Sequence, residues 1–150
     1  MKITSNAFQE KEFMPALYTC DGRNVNPRIL FDAVPVETKS LALIMDDPDA
    51  TGGKTFTHWA IWNISPDTKE IAENSLPHNA VEGETDFGKI GYGGPCPPKG
   101  AAPHRYFFRL YALDKTLDLH SGASRAQLEQ VMAGRSIIEK AEYVGLYGRI

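Results

Sequence analysis

Leu41-Ala-Leu-Ile-Met-Asp-Asp-Pro-Asp49 is followed, after a Gly-bearing turn, by Thr57-His-Trp-Ala-Ile-Trp-Asn-Ile64. Leu41, Leu43 and Met45 share one face at the two-residue period of a strand, and Asp47 continues that face. An apolar face therefore ends in a carboxylate, which is costly to bury without a partner. His58 opens the next apolar run, and residues 50 to 57 can turn the chain back, so His58 is the nearest candidate partner. The expectation is a pair of strands with a small polar cavity at one end.

Outward from this pair, Arg28 to Val34 alternates in polarity and closes at Pro35, which suggests a strand. Tyr106 to Leu113 is aromatic-rich and reads as another, and Tyr143 to Tyr147 as the last. Thr68 to Lys89 is polar with scattered apolar residues, a long excursion of the kind that is more often functional than idle. Helix is expected only near the end. Ser124-Arg-Ala-Gln127 forms a capping box, Leu128, Val131 and Met132 follow at helical spacing, and Gly134 is a stop. Ser136-Ile-Ile-Glu139 offers a second short turn. The chain should be mainly β, a β-sandwich with one or two short peripheral helices.

A length of 150 residues suits a single domain, 1–150, able to bury a core without metal or disulfide. The net charge of −3 gives no basic footprint, so neither nucleic acid nor an anionic membrane surface is an expected partner. No signal-like core precedes the first strand, and no run approaches membrane-spanning length, so stable membrane insertion is not expected and the cytoplasm is the default location. Cys20 and Cys96 read as two free thiols, since nothing in their spacing demands pairing.

Gly91 to Gly100 holds four glycines and three prolines, which excludes a helix interior or central strand. His104-Arg105-Tyr106 follows this loop. Asp47, Asp49, His58 and His104 are the polar residues that could converge, with Tyr92, Cys96, Pro97, Pro98 and Tyr106 as walls. The plainer reading has each histidine donating to a loop carbonyl and each aspartate capping a turn. Three chemistries could use the cluster. A divalent metal lacks the usual close ligand spacing. Cys96 with His104 as nucleophile and base lacks oxyanion donors among the flanking prolines. A small anion, a phosphomonoester or carboxylate, could accept from the imidazoles while Asp47 orients one of them and Asp49 meets an ammonium group on the same ligand. His78 and His120 lie in polar surroundings and are expected to be solvated.

Ser40 to Ala50 with Thr57-His58-Trp59, and Gly94-Pro-Cys-Pro-Pro-Lys-Gly100 just before His104-Arg105-Tyr106, resemble the two signature regions of the phosphatidylethanolamine-binding protein family, also called the Raf kinase inhibitor protein family. The resemblance covers most of the chain and is strongest to the short bacterial and archaeal members. It implies a sandwich of two antiparallel sheets and a ligand pocket at Asp47, Asp49, His58, Pro97, Pro98, His104 and Tyr106. It further implies binding of phosphate-bearing head groups such as phosphoethanolamine, no catalysis and no cofactor. Inhibition of a kinase or a serine protease through surface loops is the alternative, and a metal- or Cys96-dependent hydrolase a second one. Homodimers are expected from the bacterial members. Thr51 departs from a proline frequent in the family, and the sequence lacks the C-terminal helix that partly covers the pocket in animal members, so a more open site is expected.

Overall fold

The computed structural model describes residues 1–150. Eight strands follow in chain order: β1 (Lys2–Thr4), β2 (Ile29–Asp32), β3 (Ser40–Asp47), β4 (Phe56–Ile64), β5 (Glu70–Ile71), β6 (Val81–Glu82), β7 (His104–Leu113) and β8 (Ile137–Tyr147), with helix α1 (Arg125–Met132) between the last two. They form a three-stranded sheet, β1-β2-β5, and a five-stranded sheet, β6-β4-β3-β7-β8, each antiparallel throughout. The fold is the expected two-sheet sandwich. No helix is long and apolar enough to cross a membrane.

The central strand β3 is buried at every position because both of its faces are covered. Leu41, Leu43 and Met45 join Trp59, Ile61, Tyr106, Phe108 and Leu110 in the core between the sheets. Ala42 and Ile44 join Ala60, Trp62 and Leu113 in a second core, closed by Leu128 and Met132 of α1. The helix carries the expected capping box: the Gln127 amide donates to Ser124 Oγ and the Ser124 amide to Gln127 Oε1. Gly134 has φ of 84°, which supplies the left-handed stop.

Several boundaries differ from the sequence reading. The last strand begins at Ile137 instead of Tyr143, and Ser136 caps nothing, ending a short 3₁₀ turn, Gly134–Ser136. Pairing along nearly the whole of β7 overrides the weak local pattern of 137 to 142. β7 likewise takes in His104 and Arg105. The excursion from Thr68 to Lys89 contributes two-residue strands, β5 and β6, one to each sheet.

Cys20 and Cys96 are bonded to each other, which overturns the expectation of two free thiols. They lie 76 positions apart in sequence, a separation that cannot reveal that the fold brings their Cα atoms to 5.4 Å. The bond ties the Pro-rich loop after Gly91 to the N-terminal segment. Hydrogen bonds reinforce that tie, from Tyr92 hydroxyl to the Tyr18 carbonyl (2.8 Å), Gly94 amide to Asn24 Oδ1 (2.7 Å) and Cys20 amide to the Pro95 carbonyl (3.1 Å). A Cβ at Gly94 would sit 2.1 Å from the Tyr18 carbonyl oxygen, so only glycine allows this approach.

Candidate functional site

Asp47, His104 and Tyr106 reach one place because two adjacent strands carry their core faces past the end of the sandwich. Asp47 follows Met45 on β3. His104 precedes Tyr106 and Phe108 on β7, whose Phe108 lies opposite Met45. His58 arrives differently. Plain alternation along β4 would put it with Ala60 and Trp62 on the helix side. The register slips by one residue between the Met45–Trp59 pair and the Asp46–Thr57 pair, a β-bulge that turns His58 and Phe56 toward the core side instead.

The result is a cavity of about 270 Å³. It is lined by Asp47, His58, His104, Tyr106, Cys96, Pro97 and Pro98, as expected, and also by Ala50, Thr51, Phe56 and Phe87. Asp47 and His58 are 3% exposed and His104 8%. His104 Nδ1 donates to Asp47 Oδ2 at 2.7 Å. His58 Nδ1 donates to the Gly93 carbonyl at 2.7 Å, and the Gly93 amide returns a bond to the His58 carbonyl. Those acceptors settle the proton on Nδ1 of each ring. Neither Nε2 has a protein partner, and neither is sealed from solvent, since Thr38 Oγ1 is the one buried side-chain polar atom left unsatisfied.

Aromatic rings close around His58. Phe56 lies at 4.9 Å between ring centroids, Phe87 at 5.4 Å and Tyr106 at 5.3 Å, the last two edge to face. Burial in this cage pulls the His58 imidazolium below its ordinary range, opposed by the Gly93 carbonyl and the Asp47 charge. Burial also pushes the Tyr106 hydroxyl well up, helped by the Asp47 and Asp49 carboxylates, so it stays a donor.

Four expectations are corrected. Asp47 is partnered by His104, not His58, because β3 lies between β4 and β7 and its core face meets His104 directly. Asp49 is not part of the cavity and is not free for an ammonium group. Its carboxylate accepts from the Arg105 amide, Nε and Nη2, each at 2.9 Å, and this pairing holds it down at about 2. Tyr92 is no wall of the site, being turned toward Tyr18. Cys96 cannot act as a thiol nucleophile while its sulfur is bonded to Cys20. The plainer reading holds in part, for His58 donates to a loop carbonyl and Asp47 Oδ1 accepts the Asp49 amide in a turn. His78 and His120 are exposed, as expected.

Sequence reasoning missed Phe56 and Phe87. Phe56 is the residue opposite Asp47, which register alone reveals. Phe87 sits in the polar excursion and had no local signal. Asp46 was also missed. It faces away from the cavity, fully buried, and accepts from Arg109 Nε and Nη2 and from Arg125 Nη1 at 2.7 to 3.1 Å.

The sequence model described as phosphatidylethanolamine-binding protein matches residues 4–148. A UPF0098 protein of Methanothermobacter thermautotrophicus is 49% identical over 99% of both chains. Among solved structures, a phosphatidylethanolamine-binding protein homolog from Chlamydia trachomatis superposes with a TM-score of 0.93 at 39% identity, covering 99% of this chain and 97% of its own. YbcL of Escherichia coli does so at 0.92 and 33%, covering 99% and 98%.

Proposed function

Since the chain belongs to the phosphatidylethanolamine-binding protein family, we propose that its cavity is a non-catalytic binding site for a small anionic group, a phosphomonoester or carboxylate, free or carried on a partner molecule. One observation carries the reading: two imidazoles that line the same cavity have Nδ1 committed to a fixed acceptor and Nε2 without a protein partner. Tyr106 adds a hydroxyl donor. Asp47, in contact with His104 Nδ1, fixes the orientation of that ring. The family's name points to the same class of ligand, a phosphate-bearing head group.

A neutral His58 offers only a lone pair at Nε2, so the anion should bind together with a proton. Affinity for sulfate, whose own charge is constant in this range, is expected to rise as pH falls from 8 to 5.5, by at most roughly tenfold per pH unit for one linked proton. Calorimetry in two buffers of different ionisation enthalpy measures the proton taken up; zero uptake with pH-independent affinity contradicts the reading. The unliganded fold shows the opposite sign. Because burial lowers the folded His58 value, the stability due to its neutral ring is present above the unfolded value of about 6.5 and is lost as pH falls from there through the lower folded value.

His104→Ala is expected to weaken orthophosphate binding by roughly 10- to 100-fold, the worth of a hydrogen bond to a charged group. Titrations of orthophosphate, phosphoethanolamine and acetate followed by the His58 and His104 ring-proton shifts check this. With Asp49 held by Arg105, phosphoethanolamine gains no carboxylate partner for its ammonium and should bind about as orthophosphate does. Inhibition of a kinase or protease through surface loops would survive His104→Ala; no feature of the geometry favours it over the cavity.

A further inference from the structure

Cys96 belongs to the cavity wall. It is exposed, whereas its partner Cys20 is half-buried. On the N-terminal side of Cys96 the loop is anchored independently of sulfur, through Gly93 to His58, Gly94 to Asn24 and Pro95 to Cys20. On the other side the next hydrogen bond to the body of the protein runs from the Gly100 amide to the Arg149 carbonyl, at 2.9 Å. Between them lie Pro97 and Pro98, which have no amide hydrogen to donate, and Lys99. Lys99 forms a β-bridge with Arg149, and the Pro98 carbonyl accepts from the Ala101 amide within the loop, so the disulfide is the one covalent or hydrogen-bonded tie of Cys96 and Pro97 to the body of the protein.

We infer that the Cys20–Cys96 bond is a redox control on the cavity: oxidised, it holds the Cys96-Pro97-Pro98 wall against the anion; reduced, it releases that wall and weakens binding. The inference rests on the anion-binding reading above. The reductant is a dithiol. Its thiolate attacks the Sγ of Cys96, the more exposed residue, forming a mixed disulfide and expelling the Cys20 thiolate, which takes up a proton. The second thiol of the reductant, deprotonated, then attacks its own mixed-disulfide sulfur. This releases the Cys96 thiolate, which is protonated in turn, and leaves the reductant as a disulfide. Two electrons and two protons thus pass to the protein. The anchors at Gly93, Gly94 and Pro95 stay, so the change is confined to the segment from Cys96 to Lys99.

The test compares oxidised protein, protein reduced with dithiothreitol, and Cys20→Ser, which breaks the bond while keeping the Cys96 wall. Orthophosphate affinity is read from the His58 and His104 ring-proton shifts, and wall mobility from the rate of tryptic cleavage after Lys99. Expected is roughly five- to tenfold weaker binding in both broken forms, as for a site formed only part of the time, with faster cleavage after Lys99. Reoxidation should restore the wild type but not Cys20→Ser. Equal affinities in all three forms overturn the inference and leave the anion site standing. Absence of phosphate shifts even in the oxidised protein removes the anion site and the inference with it. Loss of the native ring-proton positions on reduction without phosphate also overturns it, since the bond would then hold the fold and not the wall.

Discussion

Breaking the Cys20–Cys96 bond is expected to lower the unfolding free energy by about 4 kcal/mol, the chain-entropy value for a closed loop of this length. The loop spans 76 positions, so its release restores much conformational freedom to the unfolded chain. For a domain of this size that corresponds to a fall in Tm of roughly 10 °C. The broken forms should still fold at 25 °C. The two apolar cores are built from strand and helix contacts in which neither cysteine takes part. Thermal unfolding of oxidised protein and Cys20→Ser, followed by near-UV circular dichroism, measures the effect. A shift under about 2 °C would mean that residual structure or native strain cancels the entropic term.

Asp46→Ala is expected to cost about 3 kcal/mol, at the low end of the range for breaking a buried ion pair. The carboxylate is fully buried and bridges Arg109 on β7 to Arg125 on α1. Removing it leaves two guanidinium groups facing each other. Their side chains are 26% and 22% exposed and keep Glu142 and Glu129 as second partners, which limits the loss. Urea unfolding should show the drop in midpoint with an unchanged slope. A double-mutant cycle with Arg125→Ala should return a coupling of about 1 kcal/mol or more. A cost below about 1 kcal/mol would show that water solvates both arginines once Asp46 is gone. Orthophosphate binding should persist, because Asp46 points to the opposite face of β3 from the cavity.

Much of the candidate site was legible in the sequence, and the rest was hidden for identifiable reasons. Asp47 could be placed because it continues the apolar face of a strong strand, and His104 and Tyr106 because they stand at the start of another. Pro97 and Pro98 were placed by the loop that precedes His104. The partner of Asp47 was misread because sequence adjacency favours His58, whereas the sheet order puts β7 on the other side of β3. Asp49 was read as a ligand group because nothing local shows that Arg105, 56 positions away, closes on it. The bulge at His58 leaves no mark in the residue types, yet without it His58 would face Trp62 and the cavity would keep one imidazole.

What this chain's sequence determined by itself is whatever depends on period and local chemistry. That includes the apolar face of β3, the apolar runs that become β4 and β7, the capped helix, the irregular Pro-Gly loop and the polar ends of the apolar strands. The tertiary structure decided what depends on register and on contacts between distant segments: which histidine Asp47 holds, where Phe56 and Phe87 close the site, the Asp46 bridge and the Cys20–Cys96 bond. The physical reason is that side-chain period is a property of the local backbone. Pairing partners are selected only when whole faces are buried together, and a one-residue slip in that pairing sends a side chain to the other side of the sheet.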